Sequence, residues 1–276
     1  MYTLSGFADE VADDLETQLE TFDALGIGHV DLRSVDGTNV VDFTDDDVAW
    51  IRKRLEEYGV SVAAIGSPIG KIDITDDFAP HQEDFDRILE LADAFDADYV
   101  RLFSYWIPED DDPAEYREEV LRRTRWKAER AEEAGIPIYH ENEKDIYGDT
   151  PARCRDLVEA VDSPAFGLIF DPANFLEVGV RPYPDALVHL VEYVEALHIK
   201  DATHGVRGDI KPAGEGDGRI PEVMTALADR GFSGYAALEP HLAMADEMGG
   251  YSGPEAFEVA TDALTDILDG QGLAYQ

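Results

Sequence analysis

Four short segments of the chain end in groups able to grip a cation or move a proton. "GIPIYHENEKDIYG" carries an apolar run up to Glu141, and "LIFDPANF" does the same up to Asp171. "EALHIKD" reaches His198, and "YAALEPH" reaches Glu239. Three carboxylates and one imidazole form a hard, oxygen-rich donor set suited to Mn²⁺, Mg²⁺ or Co²⁺, with Zn²⁺ also acceptable. Carboxylates at the inner end of an apolar strand do not stay ionised unless a positive charge compensates them, and a divalent ion does this. The competing explanation pairs each acid with a nearby Arg or Lys; it weakens when four consecutive segments show the same feature.

Other residues are candidates for contacts around such a centre. Arg33 ends "VDLR" and is placed to touch substrate or to bridge Asp31 or Asp36. Lys71, in "SPIGK", is a rare lysine in this chain and is a candidate for a substrate oxygen or anion. Asn174, three residues past Asp171, is placed to meet a ligand or hold a turn. Lys200 falls on the same side of its segment as His198, and Asp201 is placed to orient a neighbour. Glu143 and Lys144 follow Glu141 closely. His140 alternates away from Glu141 and reads as a core histidine. His204 and His241 lie just past segment ends, whereas His29, His81 and His189 read as structural. "GEGDG" (214–218) has the glycine spacing of a phosphate cradle but no internal base, and reads better as a tight loop. Phe7, Tyr105, Trp106 and Phe175 are placed to set the width of a pocket or to pack the interface of a homo-oligomer.

These groups must be positioned by the surrounding elements. Apolar, β-prone runs at 4–8, 30–33, 60–67, 99–103, 136–141, 166–171, 194–199 and 235–239 alternate with helical patterns. The helical patterns lie at 16–25, 48–58, 81–95, 114–134, 151–161, 184–192, 220–230 and 255–269. "ALGIGHV", "EYGVSVA", "EAGIPIY" and "DRGFSGYAAL" repeat one phrase, in which a helix ends at glycine and a short strand follows. Eight such units predict an α/β fold, a single (β/α)8 TIM barrel spanning 1–276 as one domain. No Gly-x-Gly-x-x-Gly follows the first strand, so a dinucleotide-binding sheet lacks its main support. In a barrel of this kind the C-terminal strand ends share one mouth, which is where Glu141, Asp171, His198 and Glu239 fall.

The 276 residues include 61 Asp and Glu against 22 Lys and Arg, a formal net charge of −39. Self-repulsion of that size is relieved in molar salt, where the Debye length is about 3 Å, so the acidic runs read as a halophile's solvated shell. Such a surface argues against nucleic acid as a partner. No apolar run nears the roughly 20 residues of a membrane span, and the N-terminus lacks a signal-peptide pattern. The lone Cys154 excludes an internal disulfide framework. The expected location is cytoplasmic.

"HENEKDIYGDTP", "FDPANF", "HIKDA", "PAGEGDGRIP" and "LEPH" together resemble the xylose isomerase-like TIM-barrel superfamily, in its sugar phosphate isomerase/epimerase branch. "SPIGKIDI" and "VDLRSVDGTNVVD" fit the same branch, and the resemblance runs from about residue 4 to about residue 265. It implies a divalent metal, manganese first, held by Glu141, Asp171, His198 and Glu239, with Glu141 and Glu239 also moving protons. It implies a small sugar or polyol substrate that is isomerised or epimerised by proton abstraction α to a carbonyl, through an enediolate stabilised by the metal. Where the family usually shows Glu, this chain has Asp31, which keeps the charge and shortens the reach. Dehydration of a keto-polyol on the same site is the alternative. An abasic-site endonuclease-like activity shares the barrel but calls for more histidines than this chain offers. A metal-free binding protein is the remaining reading.

Overall fold

The computed structural model describes residues 1–242 and 252–276. Eight parallel strands close into a barrel: β1 (Tyr2–Gly6), β2 (His29–Leu32), β3 (Ser61–Ile65), β4 (Tyr99–Leu102), β5 (Ile138–Glu141), β6 (Phe166–Phe170), β7 (Val194–Ile199) and β8 (Gly234–Leu238). Each strand pairs with the next, and β1 closes the ring by pairing with both β8 (Leu4 opposite Ala236) and β2 (Gly6 opposite Val30). The outer helices are α1 (Leu15–Leu25), α2 (Asp45–Tyr58), α3 (Phe78–Ala94), α4 (Pro113–Ala134), α5 (Pro151–Val161), α6 (Pro172–Glu177), α7 (Leu187–Leu190), α8 (Ile220–Ala228) and α9 (Gly253–Gln271). Among the described residues, no helix is long and apolar enough to cross a membrane.

Local chemistry explains the repeated helix–glycine–strand phrase. Asp14 opens α1 by accepting from the Thr17 amide, and a reciprocal Thr44–Asp47 capping box opens α2. Gly26, Gly59 and Gly135 close α1, α2 and α4 in the left-handed conformation (φ 72°, 69° and 72°), where a side chain would add strain. Departures from the expected boundaries follow from specific contacts. β1 begins at Tyr2 rather than at residue 4, because the Tyr2 and Leu4 amides bond the C-terminal carbonyls of Ala274 and Gln276. It ends before residue 8, where Ala8–Glu10 turns into a short 3₁₀ helix. The helix expected over 184–192 shrinks to α7, after a wide turn at Pro182–Ala186 whose prolines offer no N–H. α6, which sequence periodicity did not predict, is a six-residue helix that starts just after Asp171, past the C-terminal end of β6.

The barrel interior is layered. Tyr99, Tyr139 and Tyr235 pack with Ala64, Ile169 and Ala196 in a core separate from the one between strands and helices. Tyr99 stacks on Tyr139 (4.8 Å between ring centroids) and donates from its hydroxyl to Asp31 (3.2 Å). Gly167 opposes this layer because a β-carbon there would stand 3.1 Å from the Tyr139 ring and 2.5 Å from Glu195. The layer closes the barrel below the mouth and leaves the strand ends above it for polar groups.

The loop after β3 that carries Lys71 is held from behind. Gly70 (φ 93°) lies so close to β4 that a β-carbon would meet the Phe103 carbonyl at 2.1 Å, and its amide donates to buried His81 Nε2 (2.9 Å). Burial, reinforced by Lys127 and Arg123, pulls the His81 pKa from 6.5 to about 3, so the ring stays a neutral acceptor. The unfolded chain takes up this proton as pH falls below 6.5, whereas the folded one resists until about 3. Folding stability is therefore lost as pH falls through that window. In His81→Gln the wild-type advantage in melting temperature should shrink steadily from pH 7 to pH 4; a constant difference would show that His81 does not titrate this way.

Candidate metal centre

Glu141 and His198 lie on β5 and β7, and Asp171 and Glu239 stand one residue beyond β6 and β8. All four are buried, and one ligand atom from each lies within 4.8 Å of the others. The register makes this convergence necessary: Glu141 is level with Ile169, and His198 with Ala237, so each inward side chain two residues later tops its own strand. Asp171 is held on both sides. Its backbone exchanges two hydrogen bonds with the Asn142 side chain (2.9 Å each), which extends the β5–β6 ladder past the strand ends. Its Oδ1 caps α6 by accepting from the Asn174 amide (3.0 Å), leaving Oδ2 turned to the mouth.

The donor set fits a divalent cation. Asp171 Oδ2 and both ring nitrogens of His198 have no hydrogen-bond partner among the described residues. They are nevertheless crowded by charge: His198 Nδ1 stands 3.1 Å from Glu141 Oε1 and 3.8 Å from Glu239 Oε2, and Asp171 Oδ2 stands 2.9 Å from Lys200 Nζ. Three buried carboxylates and an imidazole gathered this closely, with Lys200 the donor beside Asp171, are an arrangement a divalent cation satisfies. The edge of the Phe7 ring supports His198 from below (5.0 Å, nearly perpendicular).

Cations of the chain surround this cluster. Glu239 receives Arg33 at 2.8 Å and Lys200 at 2.7 Å, with His241 Nε2 at 3.4 Å. Burial alone would raise its pKa, but Lys200, His241 and Arg33 outweigh burial and hold it well below the usual carboxylate range. Glu141 is met by Arg101 (3.2 Å) and the Asn174 side-chain Nδ2 (3.1 Å), and His198 and Arg101 likewise keep it low against burial. Asp171 behaves differently: burial dominates and pushes it up to about 7, despite Lys200. For His241 the neighbouring Glu239 and Glu10 overcome burial and raise the pKa to about 9.

The structure gives the other expected contact residues definite partners. Arg33 does not bridge Asp31 or Asp36; its guanidinium binds Asp9 (2.7 Å), Glu10 (2.8 Å) and Glu239. Asp31 points into the barrel instead, under Tyr99. Lys71 sits over the Phe103 ring (4.3 Å) and 3.6 Å from Glu143, while Lys144 bridges Glu143 and Glu177 (3.4 and 2.9 Å). Asn174 touches Glu141 directly, and Lys200 lies inside the cluster. His140 bonds Ser104 in the core. "GEGDG" wraps a carboxylate of the chain itself: the amides of Gly214, Gly216 and Gly218 donate to Asp201. Of the aromatic candidates, Phe7 reaches the site, Tyr105 and Phe175 are buried in the core, and Trp106 is exposed. Arg101 escaped sequence reading although "DYVRLF" places a charge inside an apolar strand, a signal in itself. Asp9, Glu10 and Asn142 carried no comparable signal.

The sequence profile of the xylose isomerase-like TIM barrel family matches residues 19–258. The chain belongs to this family. A 2-epi-5-epi-valiolone 7-phosphate 2-epimerase of an Actinoplanes species is 28% identical over 178 residues; the chain spans 63% of that relative's length, and the match covers 64% of the chain. Among solved structures, the IOLI protein with a bound zinc atom superposes with a TM-score of 0.77 at 16% identity, covering 97% of this chain and 98% of that one. The probable 3-DHS dehydratase AsbF of Bacillus anthracis superposes with a TM-score of 0.76 at 17% identity, covering 96% and 98%. At these identities the structural likenesses establish the fold. As in any xylose isomerase-like barrel, the strand ends of this chain share one mouth, and here they carry a buried carboxylate and histidine cluster suited to a divalent metal.

The Lys200 ammonium stands beside two carboxylates that an ion would also use, so the two cations compete. Lys200→Met should bind Mn²⁺ at least about tenfold more tightly by calorimetry on the metal-stripped protein, and the stripped variant should melt lower than stripped wild type. Unchanged or weaker binding would rule out this competition.

Proposed function

We propose that the chain is a metal-dependent isomerase or epimerase of a small sugar, keto-sugar or polyol derivative, working as one barrel domain. The observation that carries this reading is the convergence of Glu141, Asp171, His198 and Glu239, all buried and with one ligand atom from each within 4.8 Å of the others, at the mouth. Family membership and the epimerase relative support it. The four residues would hold the metal; their hardness favours Mn²⁺ or Mg²⁺, and the imidazole also admits Co²⁺ or Zn²⁺. When bound, the ion supplies the positive charge that polarises a ketone and offsets the charge left by proton loss.

The chain's own groups do the rest. Glu141 and Glu239 approach from β5 and β8, on either side of His198, so one takes the proton α to the carbonyl and one returns it. Asn174 and Arg101 fix the two oxygens of Glu141, and Arg33 and Lys200 fix those of Glu239. Neither carboxylate is free to rotate away from a bound carbon acid, which is the orientation such a transfer needs. Lys200 and Arg33, already beside Glu239, are the groups we assign to substrate hydroxyls. Asn174 serves Glu141 in the same way, and Lys71 lies further out on the rim.

The experiment is solvent deuterium exchange at the substrate α-carbon, read by NMR with a panel of ketoses and keto-inositols, manganese and molar potassium chloride. Glu141→Gln and Glu239→Gln should each slow exchange by about 10² to 10⁴-fold. Full exchange in both variants would remove the glutamates from the chemistry. A product lighter by one water would instead assign dehydration, which begins with the same abstraction.

A further inference from the structure

The mouth contains cations, and the question is whether any of them is free for an anionic substrate. Arg33 has three carboxylate partners within 2.8 Å, and His241 lies 3.0 Å from Glu10 and 3.4 Å from Glu239. Lys71 and Lys144 share Glu143, and Lys144 also holds Glu177. Deeper in, Arg101 and Lys200 face the metal-site carboxylates. The sequence of 243–251 adds no Lys or Arg. A phosphate ester carries nearly two negative charges, so it would have to break these pairs to gain a partner.

Among the described residues, backbone phosphate sites are taken as well. Barrels of this type commonly hold phosphate in the loops after the seventh and eighth strands, on glycine-loop amides and helix N-termini. Here the glycine loop after β7 is folded around Asp201, which accepts from Gly214 (3.0 Å), Gly216 (3.2 Å), Gly218 (2.7 Å) and Ala202 (2.8 Å). A β-carbon on Gly216 or Gly218 would stand 2.4 or 2.6 Å from Asp201 Oδ1, so these glycines are fitted to that internal anion. The helices after β7 and β8 begin Ile220-Pro221-Glu222 and Gly253-Pro254-Glu255. Each first turn therefore lacks one N–H and already has its own carboxylate. A groove of about 450 Å³ between the loops after β6 and β7 contains Arg181 and Arg219, but it also contains Asp217, and Glu222 holds Arg219.

We propose that this mouth is built for an uncharged polyhydroxy ketone and excludes phosphate esters. The proposal rests on the reading of the site as a sugar or polyol enzyme and names its substrate class. The glutamates, Lys200 and Asn174 are suited to hydroxyl and carbonyl oxygens, and among the described residues the chain's own carboxylates hold the cations of the mouth and the glycine-loop amides. Glu143 is the most consequential of these occupants, since removing its charge frees Lys71 and leaves Lys144 with Glu177 alone.

Two readouts test this, one of them independent of turnover. Inorganic phosphate and D-fructose 6-phosphate are titrated into the manganese-loaded protein at 0.2 M and 2 M potassium chloride and followed by calorimetry. In parallel, kcat/KM for deuterium exchange is measured on D-fructose and D-tagatose and on their 6-phosphates. Wild type should show no phosphate binding below about 10 mM at either salt concentration and should favour each free ketose over its ester by at least about tenfold. Glu143→Gln should gain phosphate binding by at least about fivefold. Submillimolar phosphate binding by wild type, a preference for the esters, or a Glu143→Gln variant indistinguishable from wild type would each overturn the proposal. If no ketose or ester exchanges, the enzymatic reading is what fails. The phosphate titrations of wild type and Glu143→Gln still decide whether the mouth excludes phosphate.

Discussion

Three carboxylates and an imidazole share a space only a few ångströms wide at the end of a closed barrel, out of reach of bulk water. In a medium of low polarizability, like charges so close cannot all persist without compensation, and an uncompensated buried charge is among the most costly features a fold can contain. Much of the upper barrel serves to provide that compensation. Lys200, just past β7, meets Asp171 and Glu239, Arg101 from β4 meets Glu141, and Arg33 from the end of β2 meets Glu239. The His198 ring nitrogens still have no hydrogen-bond partner among the described residues. It is the crowding of three carboxylates around that imidazole, within 4.8 Å of one another, that makes a divalent ion a fitting further partner.

The supporting contacts divide the work so that each ligand is fixed without losing its free lone pair. Asp171 uses its backbone to pair with Asn142 and one oxygen to start α6, and the second oxygen remains for the site. Asn174 belongs to the same short helix and returns to Glu141, so one turn of chain orients two ligands from neighbouring strands. Phe7 carries Arg33 on its ring at 4.7 Å and Arg101 at 5.0 Å while its edge meets His198. A single aromatic ring thus keeps two guanidiniums and one imidazole at set heights, in a way that a flexible aliphatic side chain would not.

The barrel and its four central residues were legible because both follow from short-range rules. Glycine-closed helices alternate with short strands, and parallel strands all present their ends to one side. Glu141, Asp171, His198 and Glu239 needed only strand alternation to be placed together. The partners of Arg33 were not legible for the converse reason. Alternation tells which way a side chain points, but Asp9, Glu10 and Glu239 reach Arg33 from the loop after β1 and from β8, across the closure of the barrel. The role of "GEGDG" was similarly hidden, since nothing in its spacing shows that the anion it cradles is Asp201 of the same chain. α6 escaped because a helix of six residues is too short to show periodicity.

The distribution of base in so acidic a chain follows from the same demand. Of 22 Lys and Arg residues in the sequence, Arg33, Lys71, Arg101, Lys144 and Lys200 gather around one mouth. The acidic runs at 45–47 and 109–112 stay on the outside, where Asp45, Asp46 and Asp47 form the exposed first turn of α2 and favour its dipole. Surface and site therefore respond differently to the medium. Exposed carboxylates repel one another at low ionic strength and are relieved as salt shortens the screening length to a few ångströms. The buried pairs lie at or within that length and have no mobile ions between them, so their geometry holds across the same change. A chain built this way has a shell whose repulsion depends on salt and a cluster whose charges remain set by the barrel.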